Sequence, residues 1–309
     1  MPSRDLAPHL LRHPAPPSAV DGPRPRVYDD RLAEVMSPRA RLQSLYSDAS
    51  WAEGPVWWPS ERALVFSDVI GRRTLAWHED GRVVTVVDPS EFANGNAVDA
   101  VGRLLHCEHG RRGISRTDPA RGETEVLVDT YGGKPFNSPN DLVVARDGAV
   151  WFTDPTYGID DPREGYPARS ALGHQSVYRW QEGRPAERMI DLDAPNGLGL
   201  SPDGSILYVA ESHADGLPRI VACGWDGIRL GPPRTFASVD AGIPDGFAVD
   251  SRGWLWISSG AGVVIVDDAG MRLGVIPTPH LVSNCAFDAD EGRLFLTGDS
   301  DLWMVDLRA

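Results

Sequence analysis

Six polar positions recur along the chain at the same point of a repeated pattern, and together they could bind a divalent cation. Each copy places an Asn, Asp or Glu, usually followed by Gly, ahead of an apolar stretch, a turn and a second apolar stretch. The six leading residues are Glu53, Asn94, Asn140, Asn196, Asp245 and Asn284. These carboxylates and amides are the oxygen ligands that hard divalent ions prefer, Ca²⁺ first and Mg²⁺ or Mn²⁺ as alternatives. Zn²⁺ ordinarily prefers His or Cys.

Taken one at a time, these residues have a simpler interpretation as turn residues. Asn-Gly and Asp-Gly are common turn dipeptides, and a polar side chain at the start of a strand often bonds neighbouring backbone groups. A metal site is favoured because six such residues occupy the same phase of one repeat. Two carboxylates would also be costly to bury together without a cation.

The spacing of the six positions predicts the fold that would bring them together. Successive leading residues are 41, 46, 56, 49 and 39 residues apart, the length of a four-stranded propeller blade with its loops. Turns such as Asp147-Gly148 and Asp203-Gly204 join the paired apolar runs as hairpins. Helical periodicity is confined to one or two turns over residues 30–36. The sequence therefore predicts an all-β, six-bladed β-propeller whose innermost strands line one tunnel.

Closing the ring requires a strand from outside the last repeat. From residue 283 onward the chain has room for only three strands, at 283–287, 294–297 and 302–307. The segment 40–46 alternates polar and apolar residues, and we predict that it forms the outer strand of blade six, which removes an exposed sheet edge. The propeller is assigned to residues 28–309, after a Pro-rich N-terminal arm over residues 1–27.

Composition and charge restrict the class of partner. The 309 residues carry a formal net charge of −14, which disfavours nucleic acid and anionic membrane surfaces. No apolar stretch approaches the length of a membrane span, and residues 1–25 lack the apolar core of a secretion signal. The three cysteines have no paired metal or redox spacing. They are expected to be free, mostly buried thiols in a cytoplasmic protein.

The motifs around the repeated positions resemble one family of enzymes. In chain order they are Trp51-Ala52-Glu53-Gly54-Pro55, Cys107-Glu108-His109-Gly110, Ser138-Pro139-Asn140-Asp141, Phe152-Thr153-Asp154-Pro155, Pro195-Asn196-Gly197 and Pro244-Asp245-Gly246. The ordered set is similar to the gluconolactonase, senescence marker protein and luciferin-regenerating enzyme family, over about residues 28–309. The resemblance implies a six-bladed propeller with a single catalytic divalent metal that hydrolyses sugar lactones to aldonic acids.

The resemblance assigns metal ligands residue by residue. Glu53, Asn196 and Asp245 match the family's ligands, and Asn140 matches a fourth ligand in some relatives and a substrate contact in others. The implied cofactor is one divalent ion, with Ca²⁺ preferred over Zn²⁺, Mn²⁺ or Mg²⁺. One departure is Ser138, because some animal relatives carry an Arg at that position to grip the substrate.

Two residues are candidates for the general base that activates water, once the metal has polarised the lactone carbonyl. Asp245 comes first, although a carboxylate on a cation has a lowered pKa and is a weak base. His109 is the rival, because its strand runs back toward the tunnel mouth. An alternative of equal weight is that His109 orients a ligand or completes a loop.

Other polar residues are expected near a bound lactone, which is the small-molecule partner of this hypothesis. Asn94 and Asn140 in the leading set, with Glu108 and Asp154 near the ends of second strands, are candidates to contact sugar hydroxyls. Asp154 suits a turn-fixing role equally well. Asp68, Glu211 and Ser258 lie at equivalent strand ends and are candidates to bind sugar hydroxyls or to hold ligands in place.

Two other functions stay open on the sequence alone. The same metal and tunnel would suit phosphotriesters or aryl esters, as in the architecturally similar paraoxonases and diisopropylfluorophosphatase, since one cation polarises either P=O or C=O. A propeller used only as a binding scaffold is the other function, and it predicts that the leading residues tolerate uncharged replacements. A Ser-His-Asp hydrolase is not supported, because the sequence lacks a Gly-x-Ser-x-Gly elbow.

Overall fold

The computed structural model describes residues 18–19, 24–213 and 217–309. The elements ahead of the first blade are β1 (Ser18–Ala19), β2 (Arg26–Val27), a 3₁₀ helix (Asp30–Glu34) and β3 (Leu42–Tyr46). The 3₁₀ helix begins after Asp29, whose side chain accepts a hydrogen bond from the backbone N–H of Arg31 at 2.9 Å. A capped helix of this length agrees with the short helical segment predicted over residues 30–36.

Apart from one two-stranded hairpin, the remaining strands form six antiparallel sheets, which are the blades. Blade one contains β4 (Ala52–Trp58), β5 (Ala63–Asp68), β6 (Arg73–His78) and β7 (Val83–Val87). Blade two contains β8 (Ala93–Val98), β9 (Leu104–Glu108), β10 (Gly113–Asp118) and β11 (Glu123–Val128). A small hairpin of β12 (Thr130–Tyr131) and β13 (Lys134–Pro135) follows it. Blade three contains β14 (Leu142–Val144), β15 (Val150–Asp154), the helix α1 (Tyr157–Asp160), β16 (Ser176–Trp180) and β17 (Glu187–Asp191).

The second half of the ring repeats this arrangement. Blade four contains β18 (Pro195–Leu200), β19 (Ile206–Glu211), β20 (Arg219–Gly224) and β21 (Arg234–Ala237). Blade five contains β22 (Phe247–Val249), β23 (Leu255–Ser259), β24 (Gly262–Val266) and β25 (Arg272–Ile276). Blade six contains β26 (Asn284–Phe287), β27 (Arg293–Gly298) and β28 (Asp301–Asp306).

The ring closes through a strand from the N-terminal side of the chain. First strands contact each other in the order β4, β8, β14, β18, β22, β26 and back to β4. β3 completes blade six by pairing antiparallel with β28, with Leu302 opposite Tyr46 and Val305 opposite Leu42. This pairing confirms the predicted six-bladed propeller closed by residues 40–46. β1 and β2 pair with β3 and β25, and residues 1–17 and 20–23 of the predicted arm lie outside the described residues.

Apolar side chains pack between neighbouring blades. One cluster joins blades five and six through residues such as Trp256, Leu273 and Leu294. Trp151 and Trp256 each expose only 1% of their surface, so these two tryptophans are packing residues. All three cysteines are free and buried. Within the described ranges, no helix is long and apolar enough to cross a membrane.

Glycine follows four of the leading residues because the next blade lies against it. The four glycines are Gly54, Gly95, Gly197 and Gly246. A Cβ on Gly197 would lie 2.5 Å from the backbone oxygen of Asp245, and one on Gly246 would lie 1.9 Å from the Asn284 side chain. Close contact between inner strands therefore requires glycine at these positions, which a turn dipeptide alone would not explain.

Candidate active site

The six leading residues lie where the inner strands begin, at one end of the tunnel, which we call the tunnel mouth. Four lie inside first strands, and two, Asn140 and Asp245, lie just before β14 and β22. Asp245 is partly exposed, while the other five are buried, with exposed fractions of 5–7%. The repeat therefore places all six at equivalent positions of the ring, as the sequence predicted.

Glu53 and Asp245 are the two carboxylic acids among the leading residues. Burial and the neighbouring charge of Asp245 hold the pKa of Glu53 well above its usual value. Burial, together with repulsion from Asp141 and Glu164, raises the pKa of Asp245 to about 8, and a hydrogen bond with Asn196 partly offsets this effect. Two carboxylates that repel each other at low dielectric favour the binding of either a proton or a cation.

Asp141 is a further buried carboxylate at the mouth, and sequence reasoning did not single it out. Its Oδ2 accepts a hydrogen bond from Nδ2 of Asn284 at 3.4 Å. A Cβ on Gly95 would lie 2.4 Å from its Oδ1. Burial raises the pKa of Asp141 to about 7. Its position directly after Asn140 was the available signal, but an Asp there is equally typical of a turn.

This donor set fits a hard divalent cation. The carboxylates of Glu53, Asp141 and Asp245 interact electrostatically with one another, and burying them together is costly without a compensating positive charge. Amide oxygens of Asn140 and Asn196 would extend an all-oxygen set of the kind that Ca²⁺ takes. Among the described residues, no group of three or more His, Cys, Asp and Glu is arranged to hold a metal. Such a site therefore depends on the asparagines.

His109 is fully buried and has both ring nitrogens engaged. Nδ1 lies 3.1 Å from the backbone oxygen of Glu164, and because a carbonyl only accepts, the proton is on Nδ1. Nε2 is therefore the acceptor for Nδ2 of Asn94, at 3.4 Å. Burial lowers the pKa of His109 to about 4. This geometry favours the orienting role of His109 over a role as general base.

A long connection in blade three lies at the mouth. It comprises residues 155–175, between β15 and β16, and we call it the strap. A cavity of about 450 Å³ is lined by strap residues that include Tyr157 and Glu164. Both residues interact electrostatically with Asp245, and burial raises the pKa of each above its usual value. The spacing of 56 residues between Asn140 and Asn196, the longest of the five, was the sequence signal for this insertion.

Residues 51–300 match the SMP-30/Gluconolactonase/LRE-like region. The chain belongs to this family. A gluconolactonase from Xanthomonas campestris, of solved structure, is 52% identical with a TM-score of 0.93, covering 96% of this chain and 99% of that chain. The gluconolactonase from Zymomonas mobilis is 32% identical over 303 residues, 90% of this chain and 84% of that protein. Regucalcin from Agrobacterium tumefaciens, a calcium-binding protein, is 19% identical with a TM-score of 0.71, covers 85% of this chain and 92% of that chain, and supports the fold alone.

In this family member, Asp154 holds the loop that precedes Asn140. Asp154 is fully buried and accepts hydrogen bonds from the backbone N–H groups of Asn137 and Ser138, both at 2.9 Å. Burial raises the pKa of Asp154 to about 7. These contacts favour the turn-fixing role over direct contact with substrate.

The same arrangement recurs in other blades. Asp68 accepts hydrogen bonds from the backbone N–H groups of Ser50 and Trp51, at 2.8 and 3.2 Å, just ahead of Glu53. Glu211 accepts one from the backbone N–H of Asp193 at 3.0 Å. In blades one, three and four the second strand thus ends in a carboxylate that fixes the loop leading to the first strand, and so orients the leading residue.

Glu108, a predicted substrate contact, is engaged within blade two. It is buried at the end of β9, and its two carboxylate oxygens accept hydrogen bonds from Nη1 of Arg111 at 2.8 and 2.9 Å. Burial raises its pKa, an effect that Ser115 and Arg111 oppose. Asn94, the other blade-two candidate, is turned toward His109. The two candidates therefore have different surroundings: Glu108 is bonded to Arg111, whereas Asn94 is bonded to His109.

His106 lies in β9, three residues before His109, and has different hydrogen-bonding partners. Nδ1 is 2.6 Å from Oδ1 of Asn96, and Nε2 is 3.0 Å from Oγ1 of Thr117. Burial lowers the pKa of His106 to about 4. In the unfolded chain a histidine takes up a proton below about pH 6.5. The stabilisation from neutral His106 is therefore complete above pH 6.5 and is lost as the pH falls toward 4.

We expect the advantage in unfolding free energy of the wild type over His106→Leu to shrink by about 2 kcal/mol between pH 7 and pH 5. Urea unfolding of both proteins at several pH values measures it. Asp141 and Asp154 have raised pKa values and shift stability with pH in the opposite direction. Their contribution is the same in both proteins and cancels in the difference. A difference that stays constant over this range would contradict the prediction.

Proposed function

We propose that the protein hydrolyses sugar lactones to aldonic acids at the tunnel mouth, with D-glucono-1,5-lactone as the first substrate to test. The observation that carries this proposal is the similarity to two gluconolactonases over nearly the whole chain. Glu53 and Asp245, the two carboxylates among the leading residues, support it, because ester hydrolysis requires groups that bind a cation or move a proton. No comparable observation favours phosphotriesters, aryl esters or a scaffold role.

We further propose that Glu53, Asn196 and Asp245 hold one divalent cation, Ca²⁺ by preference, with Asn140 as a fourth ligand. Their oxygen atoms match the donors that Ca²⁺ takes, and the leading residues carry no thiol or imidazole that would favour Zn²⁺. When bound, the cation supplies positive charge beside the lactone carbonyl and so favours negative charge on the carbonyl oxygen.

The reaction adds water to the carbonyl carbon and breaks the bond between that carbon and the ring oxygen. We propose that Asp245 takes the proton from the attacking water on its carboxylate and returns it to the ring oxygen as this bond breaks. Asn196 orients Asp245 through their hydrogen bond. Asp154 and Asp68 hold the loops ahead of Asn140 and Glu53, which keeps these side chains pre-positioned.

The test is acid release from D-glucono-1,5-lactone by chelator-stripped protein, corrected for spontaneous hydrolysis. We expect turnover to return on adding Ca²⁺. Parallel additions of Mn²⁺, Mg²⁺ and Zn²⁺ compare how much turnover the other ions restore. Stoichiometric metal binding without turnover would contradict this substrate and direct the test to other lactones and to aryl esters. Full turnover in the metal-free protein would contradict the proposed cofactor.

A further inference from the structure

The strap is attached to blade two through His109. Nδ1 of His109 donates to the backbone oxygen of Glu164 at 3.1 Å, a contact between residues 55 positions apart. On its other side the ring accepts a hydrogen bond from Asn94, a leading residue of the tunnel mouth. One buried imidazole therefore joins the strap to the ring of leading residues.

Two glycines let the strap lie directly on this histidine. A Cβ on Gly158 would lie 2.5 Å from Cβ of His109 and 2.6 Å from its Cγ. A Cβ on Gly165 would lie 2.1 Å from the backbone oxygen of Gly158. The strap therefore folds back on itself over His109, with space at these two positions for nothing larger than hydrogen.

Two tyrosines attach the strap at its sides. The Tyr166 hydroxyl lies 3.0 Å from Nη2 of Arg72 in blade one, and its ring meets Phe92 edge-on with centroids 5.3 Å apart. The Tyr157 hydroxyl donates to the backbone oxygen of Ala194, next to blade four, at 3.3 Å. The strap thus reaches from blade one to blade four across the mouth, with His109 beneath it.

The strap carries Glu164, and the attachment therefore affects the electrostatics of the site. Glu164 repels both Glu53 and Asp245, so its carboxylate lies within electrostatic range of the candidate metal ligands. Within the described chain, the Glu164 carboxylate takes part in no ion pair of 4.0 Å or less. Glu164 also lines the cavity of about 450 Å³. A shift of the strap would move this charge relative to the mouth.

We propose that His109 is a positioning residue whose hydrogen bond to the Glu164 carbonyl clamps the strap, and so holds Glu164 and Tyr157 at the mouth to bind the lactone. Naming the lactone as ligand rests on the proposed function. The clamp itself rests on the contacts of His109 with the strap and with Asn94. His109 therefore acts through other residues and exchanges no proton with the substrate.

The test compares three variants by trypsin cleavage after Arg163, an exposed strap residue, under conditions where each variant is folded. His109→Leu removes the hydrogen bond, and we expect cleavage about tenfold faster than in the wild type. His109→Asn keeps an amide N–H that can reach the same carbonyl, and we expect cleavage within about threefold of the wild type. His106→Leu is the matched control, because it removes a buried histidine three residues earlier in the chain, whose ring bonds with Asn96 and Thr117 and not with the strap.

Kinetics separate positioning from catalysis by a general base. For His109→Leu we expect KM to rise about tenfold and kcat to change less than about threefold, with both limbs of the pH profile of kcat/KM unmoved. Loss of one pH limb in His109→Asn would overturn the proposal and make His109 the base. Unchanged cleavage after Arg163 in folded His109→Leu would overturn it as well.

A second variant keeps the proposal testable if His109→Leu does not fold. Gly158→Ala pushes the strap away from His109 without altering the imidazole, and the same rise in cleavage after Arg163 is expected. Wild-type cleavage in this variant would overturn the clamp. The cleavage test needs no lactone. If the cleavage rates support the clamp but the protein turns over no lactone, only the proposed function is contradicted.

Discussion

Asp245→Asn is expected to lower kcat/KM for D-glucono-1,5-lactone by about a thousandfold and to weaken divalent-cation binding in parallel. The substitution preserves size but removes both the negative charge and the proton acceptor. Asp245 interacts electrostatically with Asp141 and Glu164 and bonds with Asn196, so one change affects the whole donor set. Steady-state kinetics and calorimetric titration with Ca²⁺ measure the two effects.

Glu53→Gln should reproduce both effects, because it removes the other carboxylate proposed as a ligand. Asp250→Asn is the matched control, since Asp250 is a second blade-five carboxylate that is buried and lies at the far end of β22. It accepts a hydrogen bond from the Trp256 indole at 3.1 Å. We expect Asp250→Asn to lower Tm while keeping kcat/KM within about threefold of the wild type. Full activity in Asp245→Asn without bound metal would contradict the assigned role.

Gly197→Ala is expected to lower the free energy of unfolding by about 3 kcal/mol, the upper range for overpacking a well-packed interior. The added methyl group would lie 2.5 Å from the backbone oxygen of Asp245 and 2.6 Å from Cα of Gly246. Backbone atoms of the next blade cannot rotate away as a side chain can, so blades four and five must separate. Urea unfolding at pH 7 measures the loss.

Gly224→Ala controls for the general effect of replacing a glycine in the same blade. Gly224 ends β20, and a Cβ there would meet no atom within 4 Å. Neither Gly224 nor Gly197 has a positive φ, so the two substitutions differ in available space. We expect Gly224→Ala to change stability by less than about 1 kcal/mol. Equal stability of the two variants would show that inner-strand contact does not require glycine.

Much of the fold was predictable because its signals are local and repeated. A spacing of 39–56 residues between leading residues gave the number of blades. Alternation over residues 40–46 identified the closing strand that pairs with β28. The position of the leading residues at the mouth followed from the repeat, since equivalent positions of a propeller form a ring.

The roles of individual polar residues were less predictable. Asp154 ends a strand and precedes a proline, a pattern that suits a substrate contact and a fixed turn equally. Its bonds to the N–H groups of Asn137 and Ser138 distinguish the two. Asp141 was overlooked for a related reason, because burial, which raises its pKa to about 7, cannot be read from neighbours in sequence.

By itself, the sequence determined the propeller, its closing strand, the family and the ring of polar leading residues, since each depends on residue type at a regular interval. Tertiary structure decided how that ring is covered and supported. The bond from His109 to Glu164 and the docking of Tyr166 on Arg72 join residues 55 and 94 positions apart. Such contacts depend on the path of a loop without periodicity, and a loop's path is set by packing against surfaces that exist only after the blades have assembled.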